Sequence, residues 1–202
     1  MKLLIAIPAG DYIHAEFVKC LAKLMRRLDT DGIDYEVAIE SGSLVYMARD
    51  KLACKAINEG FSHVLWLDSD MVFNDDLLED LQFSGEDFVT GIAAIRRYPY
   101  GSCLFKDLEE GSMERWSEKD YPNNTFQVAG CGFACVLILT EILRGVWMTN
   151  KTCFLPTDTM GEDVAFCWRA GQLGFKVWAE PAVKIGHIAQ ITIYPDTVEK
   201  YR

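Results

Sequence analysis

The sequence predicts an α/β fold, with a mostly parallel central sheet flanked by helices, in one domain over residues 1–190 and a short tail over residues 191–202. Three observations lead there. Apolar runs and amphipathic stretches alternate as strand–helix–strand–helix–strand from Lys2 to Asp70, the pattern of a parallel sheet with crossover helices. The third apolar run, Val64-Leu65-Trp66-Leu67, has no polar side, as expected of a strand buried on both faces. The chain has 202 residues, half of them hydrophobic, which suffices for one substantial core.

Each element can be justified in turn. Residues 2–7 form an apolar, β-branched run stopped by Pro8-Ala9-Gly10, a strand followed by a loop. Residues 13–28 carry Ile13, Phe17, Val18, Leu21, Leu24, Met25 and Leu28 at helical spacing. Residues 35–39 read as a second strand ending at Glu40-Ser41-Gly42-Ser43. Residues 45–57 read as a second helix, with Gly60 placed for a left-handed cap. After the third strand, Asn74 is an N-cap candidate, and the acids after it suit a helix dipole. Residues 87–94 read as a buried strand. Residues 98–124 are rich in turn residues, including Gly111, and predict a hairpin and loop over one side of a crevice. Residues 127–138 form a strand entered through Gly130-Cys131-Gly132, where two glycines permit close backbone approach. A short helix over 140–143, a loop over 154–161, a helix over 162–173 and two short strands over 175–178 and 182–185 complete the pattern, the last reaching Gly186-His187.

Composition narrows the function. The net charge of −10 argues against binding nucleic acid through a basic surface. Seven cysteines form no Cys-x-x-Cys pair and read as scattered thiols in a reducing compartment; with no convincing signal peptide or membrane span, a cytoplasmic protein is expected. No Gly-x-Gly-x-x-Gly follows the first strand and no Gly-Lys-Ser/Thr occurs, so neither a dinucleotide fingerprint nor a Walker-type loop is present. The organising feature is Asp68-Ser69-Asp70 at the exit of the third strand. In open α/β sheets ligands bind beyond the carboxyl ends of strands. Two carboxylates there suit a hard cation, Mn²⁺ or Mg²⁺, which in turn holds a diphosphate. Glu162 and Asp163 open a helix, and His187 follows a strand. Arg96-Arg97 reads as a solvated basic pair.

Taken together, several phrases resemble GT-A fold glycosyltransferases, specifically the family-2-like group. They are Leu4-Ile5-Ala6-Ile7-Pro8-Ala9, Ala48-Arg49-Asp50-Lys51-Leu52, Leu65-Trp66-Leu67-Asp68-Ser69-Asp70-Met71, Gly130-Cys131-Gly132-Phe133, and Gly161-Glu162-Asp163-Val164 running on to Gly186-His187. The resemblance implies a metal-dependent inverting transfer of sugar from a nucleoside-diphosphate sugar, of UDP or GDP type, to an acceptor hydroxyl of a glycan, lipid, protein or small molecule. It implies Asp70, Asp68 and His187 as metal ligands. Asp163, or Glu162, would be the catalytic base. Pro8, Ala9, Glu40, Arg49, Asp68 and Ser69 would contact the nucleotide, and Gly130, Cys131 and Gly132 would lie near the donor sugar. With little sequence beyond the catalytic core, acceptor recognition falls to the 98–124 segment, the tail or a second subunit of a homo-oligomer. Three other readings compete. Asp68-x-Asp70 fits haloacid-dehalogenase-type phosphatases with Asp68 as nucleophile, although two strand–helix units precede it here. A nucleotidyltransferase and a non-catalytic nucleotide-sugar or glycan-binding module share the architecture.

Overall fold

The computed structural model describes residues 1–42, 44–109 and 112–190; the expected tail and the turn residues Ser43 and Gly111 lie outside them. The first five elements come in the expected order: β1 (Lys2–Ala9), α1 (Ala15–Thr30), β2 (Asp34–Ser41), α2 (Val45–Asn58) and β3 (His63–Leu67). Alternate residues of β1 serve two cores, as the period of two requires. Leu3, Ile5 and Ile7 pack with Phe17 and Leu24 of α1, whereas Leu4 and Ala6 pack with Leu52, Ala53 and Ala56 of α2. Gly60 takes φ +71°. Phe61 N–H donates back to the Ala56 carbonyl at 3.1 Å, closing α2 with a left-handed cap.

The remaining elements are β4 (Met71–Val72), α3 (Leu77–Phe83), β5 (Phe88–Ala93), β6 (Leu104–Glu109), β7 (Ser112–Arg115), β8 (Phe126–Val128), β9 (Gly130–Cys131), β10 (Cys135–Leu139), α4 (Thr140–Asn150), α5 (Glu162–Gln172) and β11 (Val177–His187). The main sheet runs β2-β1-β3-β10-β5-β11-β4, with β8 also on β11. Strands β1, β2, β3, β5 and β11 point the same way; β10, β4 and β8 oppose them. The majority direction is therefore parallel, with β10 inserted antiparallel between β3 and β5. Strands β7, β6 and β9 form the expected hairpin, extended to a second small sheet.

Four boundaries differ from expectation. Helix α3 starts at Leu77, capped by Asp76 without a side-chain bond, and not at Asn74. Pairing of Met71 and Val72 with β11 keeps the chain extended, and a turn at Asp75-Asp76 intervenes. The stretch 127–138 divides among β8, β9 and β10. Helix α4 continues to Asn150 because Ile142, Leu143 and Val146 find a buried face, which outweighs weak local propensity. The two short strands at the end are one strand, β11. Its register on β5 shifts between Glu180 and Lys184, where Pro181 cannot donate to the ladder.

Candidate active-site cleft

Because β1, β3, β5 and β11 are parallel, Ala9, Asp68 to Asp70, Ala94 to Arg96 and His187 all emerge at one end of the sheet. In the order β2-β1-β3 the chain leaves β1 first to one side and then to the other, so a crevice opens there. A cleft of about 490 Å³ occupies it, bordered by Pro8, Ala9, Ser69, Asp68 and Asp70 on the floor and by Glu162 and Asp163 from the first turn of α5. Helix α5 is delivered by the preceding loop, which Asp50 anchors through the amides of Cys153 at 2.8 Å and Phe154 at 2.9 Å.

Asp70 is the centre of one cluster. Its Oδ2 receives the Arg96 guanidinium and faces His187 Nε2 at 3.3 Å. His187 Nδ1 lies 2.9 Å from the Ala94 carbonyl, which can only accept, so Nδ1 carries a proton; Nε2 faces Asp70 and donates to it when the ring is a protonated imidazolium. Burial pushes the Asp70 carboxyl up, but His187 and Arg96 outweigh it and hold it below its ordinary value. The hydrogen bond to Asp70 raises His187 in turn, against the effect of its burial.

Arg49 is the centre of the other. It is 1 % exposed, from α2. It donates to Asp68 Oδ1 at 2.9 Å, and its Nε lies 3.4 Å from Asp163 Oδ1 and 3.8 Å from Glu162 Oε1. Its guanidinium carbon sits 5.4 Å from the Phe133 ring and about as far from those of Trp66 and Phe154. Burial disfavours its charge, yet the three carboxylates prevail and raise its pKa. Burial, opposed by Arg49 and reinforced by the neighbouring acids, lifts Asp68 to about 6. Burial and then Asp163 raise Glu162. Asp163 Oδ2 accepts the Phe133 N–H at 3.1 Å, which orients the carboxylate. Burial holds the nearby Cys103 thiol at about 11, too high for a thiolate nucleophile.

Most of the expected site residues thus meet in space. Pro8, Ala9, Asp68, Ser69, Asp70, Glu162 and Asp163 line the cleft, and His187 joins through Asp70. Gly132 stands beside Asp163: a Cβ there would lie 3.7 Å from Asp163 Oδ2. Arg49 also borders the cleft, but it is 1 % exposed and its guanidinium is engaged by the acids. Others are placed elsewhere. Glu40 pairs with Lys51 and does not border the cleft. Gly130 and Cys131 are buried; a Cβ at Gly130 would come 2.8 Å from Leu108 Cδ1 and 3.1 Å from Cys167 Cβ, so the glycine admits α5 rather than a ligand. Asp68 turns one oxygen to Arg49, which leaves Asp70 and His187 as the convergent donor pair. Arg96, read from sequence as solvated, and the Ala94 carbonyl were missed. Their signal was their place just past a strand parallel to β3.

Among the described residues no group of three or more His, Cys, Asp or Glu side chains converges on one point. Asp70 and His187 nevertheless offer a carboxylate oxygen and an imidazole nitrogen whose tautomer a backbone carbonyl fixes, a common outer-shell arrangement around metal ligands. This donor pair fits a divalent ion that completes its shell with water and phosphate oxygens.

No protein-family model and no curated protein matches the chain. Solved structures do. "Crystal Structure of A197 from STIV" matches with a TM-score of 0.63 at 21 % identity, covering 94 % of this chain and 87 % of that one. The structure of GalNAc-T7 with UDP, GalNAc and Mn²⁺ matches with 0.62 at 12 %, covering 98 % of this chain and 46 % of that one, so this chain spans about half of it. The catalytic domain of Drosophila β1,4-galactosyltransferase 7, in complex with xylobiose, matches with 0.54 at 12 %, covering 100 % and 79 %. At these identities the likeness concerns the fold, and the fold is that of GT-A glycosyltransferase domains.

Proposed function

We propose that the protein is a metal-dependent inverting glycosyltransferase of the family-2-like group, moving a sugar from a UDP- or GDP-type donor to an acceptor hydroxyl. One observation supports this above the others: the fold gathers Asp70, His187, Glu162 and Asp163, from distant parts of the sequence, around one cleft at the sheet's switch point. Solved neighbours include a transferase crystallised with UDP and Mn²⁺ and another with a disaccharide.

In this reading the end of β1, Pro8-Ala9, and Ser69 border the nucleoside. Asp70 and His187 would hold Mn²⁺ or Mg²⁺, and a divalent ion there would supply positive charge to a departing diphosphate. Asp163 is the base. The Phe133 amide and Arg49 orient it, and it takes the proton of the acceptor hydroxyl as that oxygen attacks the anomeric carbon. Glu162 is adjacent, and its raised pKa makes it the second candidate for that proton. Asp68 positions Arg49 and the floor. The phosphatase reading asks Asp68 to be a free nucleophile in the cleft, yet Arg49 holds its Oδ1 at 2.9 Å.

The test is release of UDP or GDP from a panel of nucleotide-sugars with Mn²⁺ and candidate acceptors. Asp163→Asn is expected to lower kcat by about 10²–10⁴-fold with donor binding retained. Full turnover by that variant together with full turnover by Glu162→Gln would overturn the assignment of the base.

A further inference from the structure

We propose that Arg96 is an internal counter-ion that exchanges with the divalent cation: it neutralises Asp70 when no ion is bound and turns to the donor diphosphate once the ion takes that carboxylate. The proposal rests on the glycosyltransferase reading above.

Asp70 Oδ2 is contested. The Arg96 guanidinium bears on the same oxygen that faces His187 Nε2 at 3.3 Å, so the arginine holds the position where a cation shared by Asp70 and His187 would bind. The charges around the cleft make the exchange useful. Asp68, Asp70, Glu162 and Asp163 present four carboxylates to it. A diphosphate entering beside them needs positive charge beyond one ion. Arg49 is 1 % exposed and tied to the acids beneath, whereas the Arg96 side chain is 51 % exposed on the cleft wall. Its planar fork matches two phosphate oxygens at once. The backbone around it is anchored: Ile95 N–H donates to Gly101 O at 2.8 Å, and Ala94 bridges Ser102. Exchange therefore needs only rotation of the long side chain.

Removing Arg96 should have opposite effects on the two ligands. Calorimetric titration with MnCl₂ alone should give about fivefold tighter binding for Arg96→Gln, because the competing cation is gone. Titration of UDP and of GDP at saturating Mn²⁺ should give about tenfold weaker binding, because the clamp is gone. Arg96→Lys, which keeps the charge but not the fork, should leave Mn²⁺ binding near that of the unmodified protein and recover part of the diphosphate affinity. Unchanged or weaker Mn²⁺ binding by Arg96→Gln, or unchanged diphosphate binding, overturns the exchange. If Asp70→Ala binds Mn²⁺ as well as the unmodified protein does, the metal site itself falls and the exchange with it. If Asp70 is required but Arg96→Gln shifts nothing, the exchange alone falls.

Discussion

At the residue scale, Arg49 is where burial and charge meet most closely. It belongs to the cleft region, as the resemblance implies, but it lies inside the protein with Asp68, Asp163 and Glu162 around its guanidinium. A buried arginine is rare without partners, and here the partners come from β3's exit and α5. Removing it leaves acids that repel one another with nothing between them. Breaking a buried pair by deleting one partner is costly. Arg49→Ala is expected to lose about 3 kcal/mol of stability in urea denaturation, near the lower end of that range because the carboxylates are partly exposed. Arg49→Lys should recover only part of this, since an ammonium cannot serve several carboxylates with one fork. A stable, fully folded Arg49→Ala protein would show that the acids do not depend on it.

At the scale of elements, the site depends on where α5 begins. Glu162 and Asp163 occupy its first turn, and the loop before it is held from two sides. Asp50 of α2 accepts the amides of Cys153 and Phe154. Arg169 of α5 donates to the carbonyls of Cys153 at 3.0 Å and Leu155 at 2.5 Å. Phe154 stacks on Phe166 with ring centroids 4.8 Å apart and also meets Phe133, whose amide orients Asp163. Asp50→Ala would leave the two amides without their acceptor, at a cost of about 2 kcal/mol. For a chain of this size that lowers Tm by about 4–8 °C. Because the loop leads into α5, kcat should fall more than donor affinity does, which steady-state kinetics alongside a melting curve can separate.

At the scale of the whole molecule, four acids collected in one cleft make stability depend on pH. Asp68 has its pKa raised to about 6 from an ordinary 3.8, so the folded state binds that proton more tightly than the unfolded state. Stability from this group is therefore lost as pH rises through that window. Glu162, also raised, acts in the same direction. Asp70, held low, contributes stability that is complete above its ordinary value and disappears only at more acid pH. The metal-free protein should accordingly show a urea midpoint that falls between pH 4.5 and 6.5. Asp68→Asn should flatten that slope. A midpoint that rises through the same interval, with Asp68→Asn unchanged, would contradict the burial of this carboxylate.

Sequence alone determined the order and type of most elements and singled out Asp68, Asp70, Glu162, Asp163 and His187 as candidates, though not Arg96, because those signals are local. Hydrophobic period distinguished α1 from β1, the uniformly apolar run gave a doubly buried β3, and Asp68-x-Asp70 at its exit marked the end of the sheet where the cleft lies. Only the tertiary structure decided which of those residues share a site. The antiparallel insertion of β10 and the return of β11 beside β5 depend on long-range pairing, which no local pattern encodes. That pairing carries His187 and Arg96 to Asp70 and buries Gly130 under α5. The direction of a side chain, as with Arg49 turned inward and Glu40 turned to Lys51, depends on which charges a fold brings within reach.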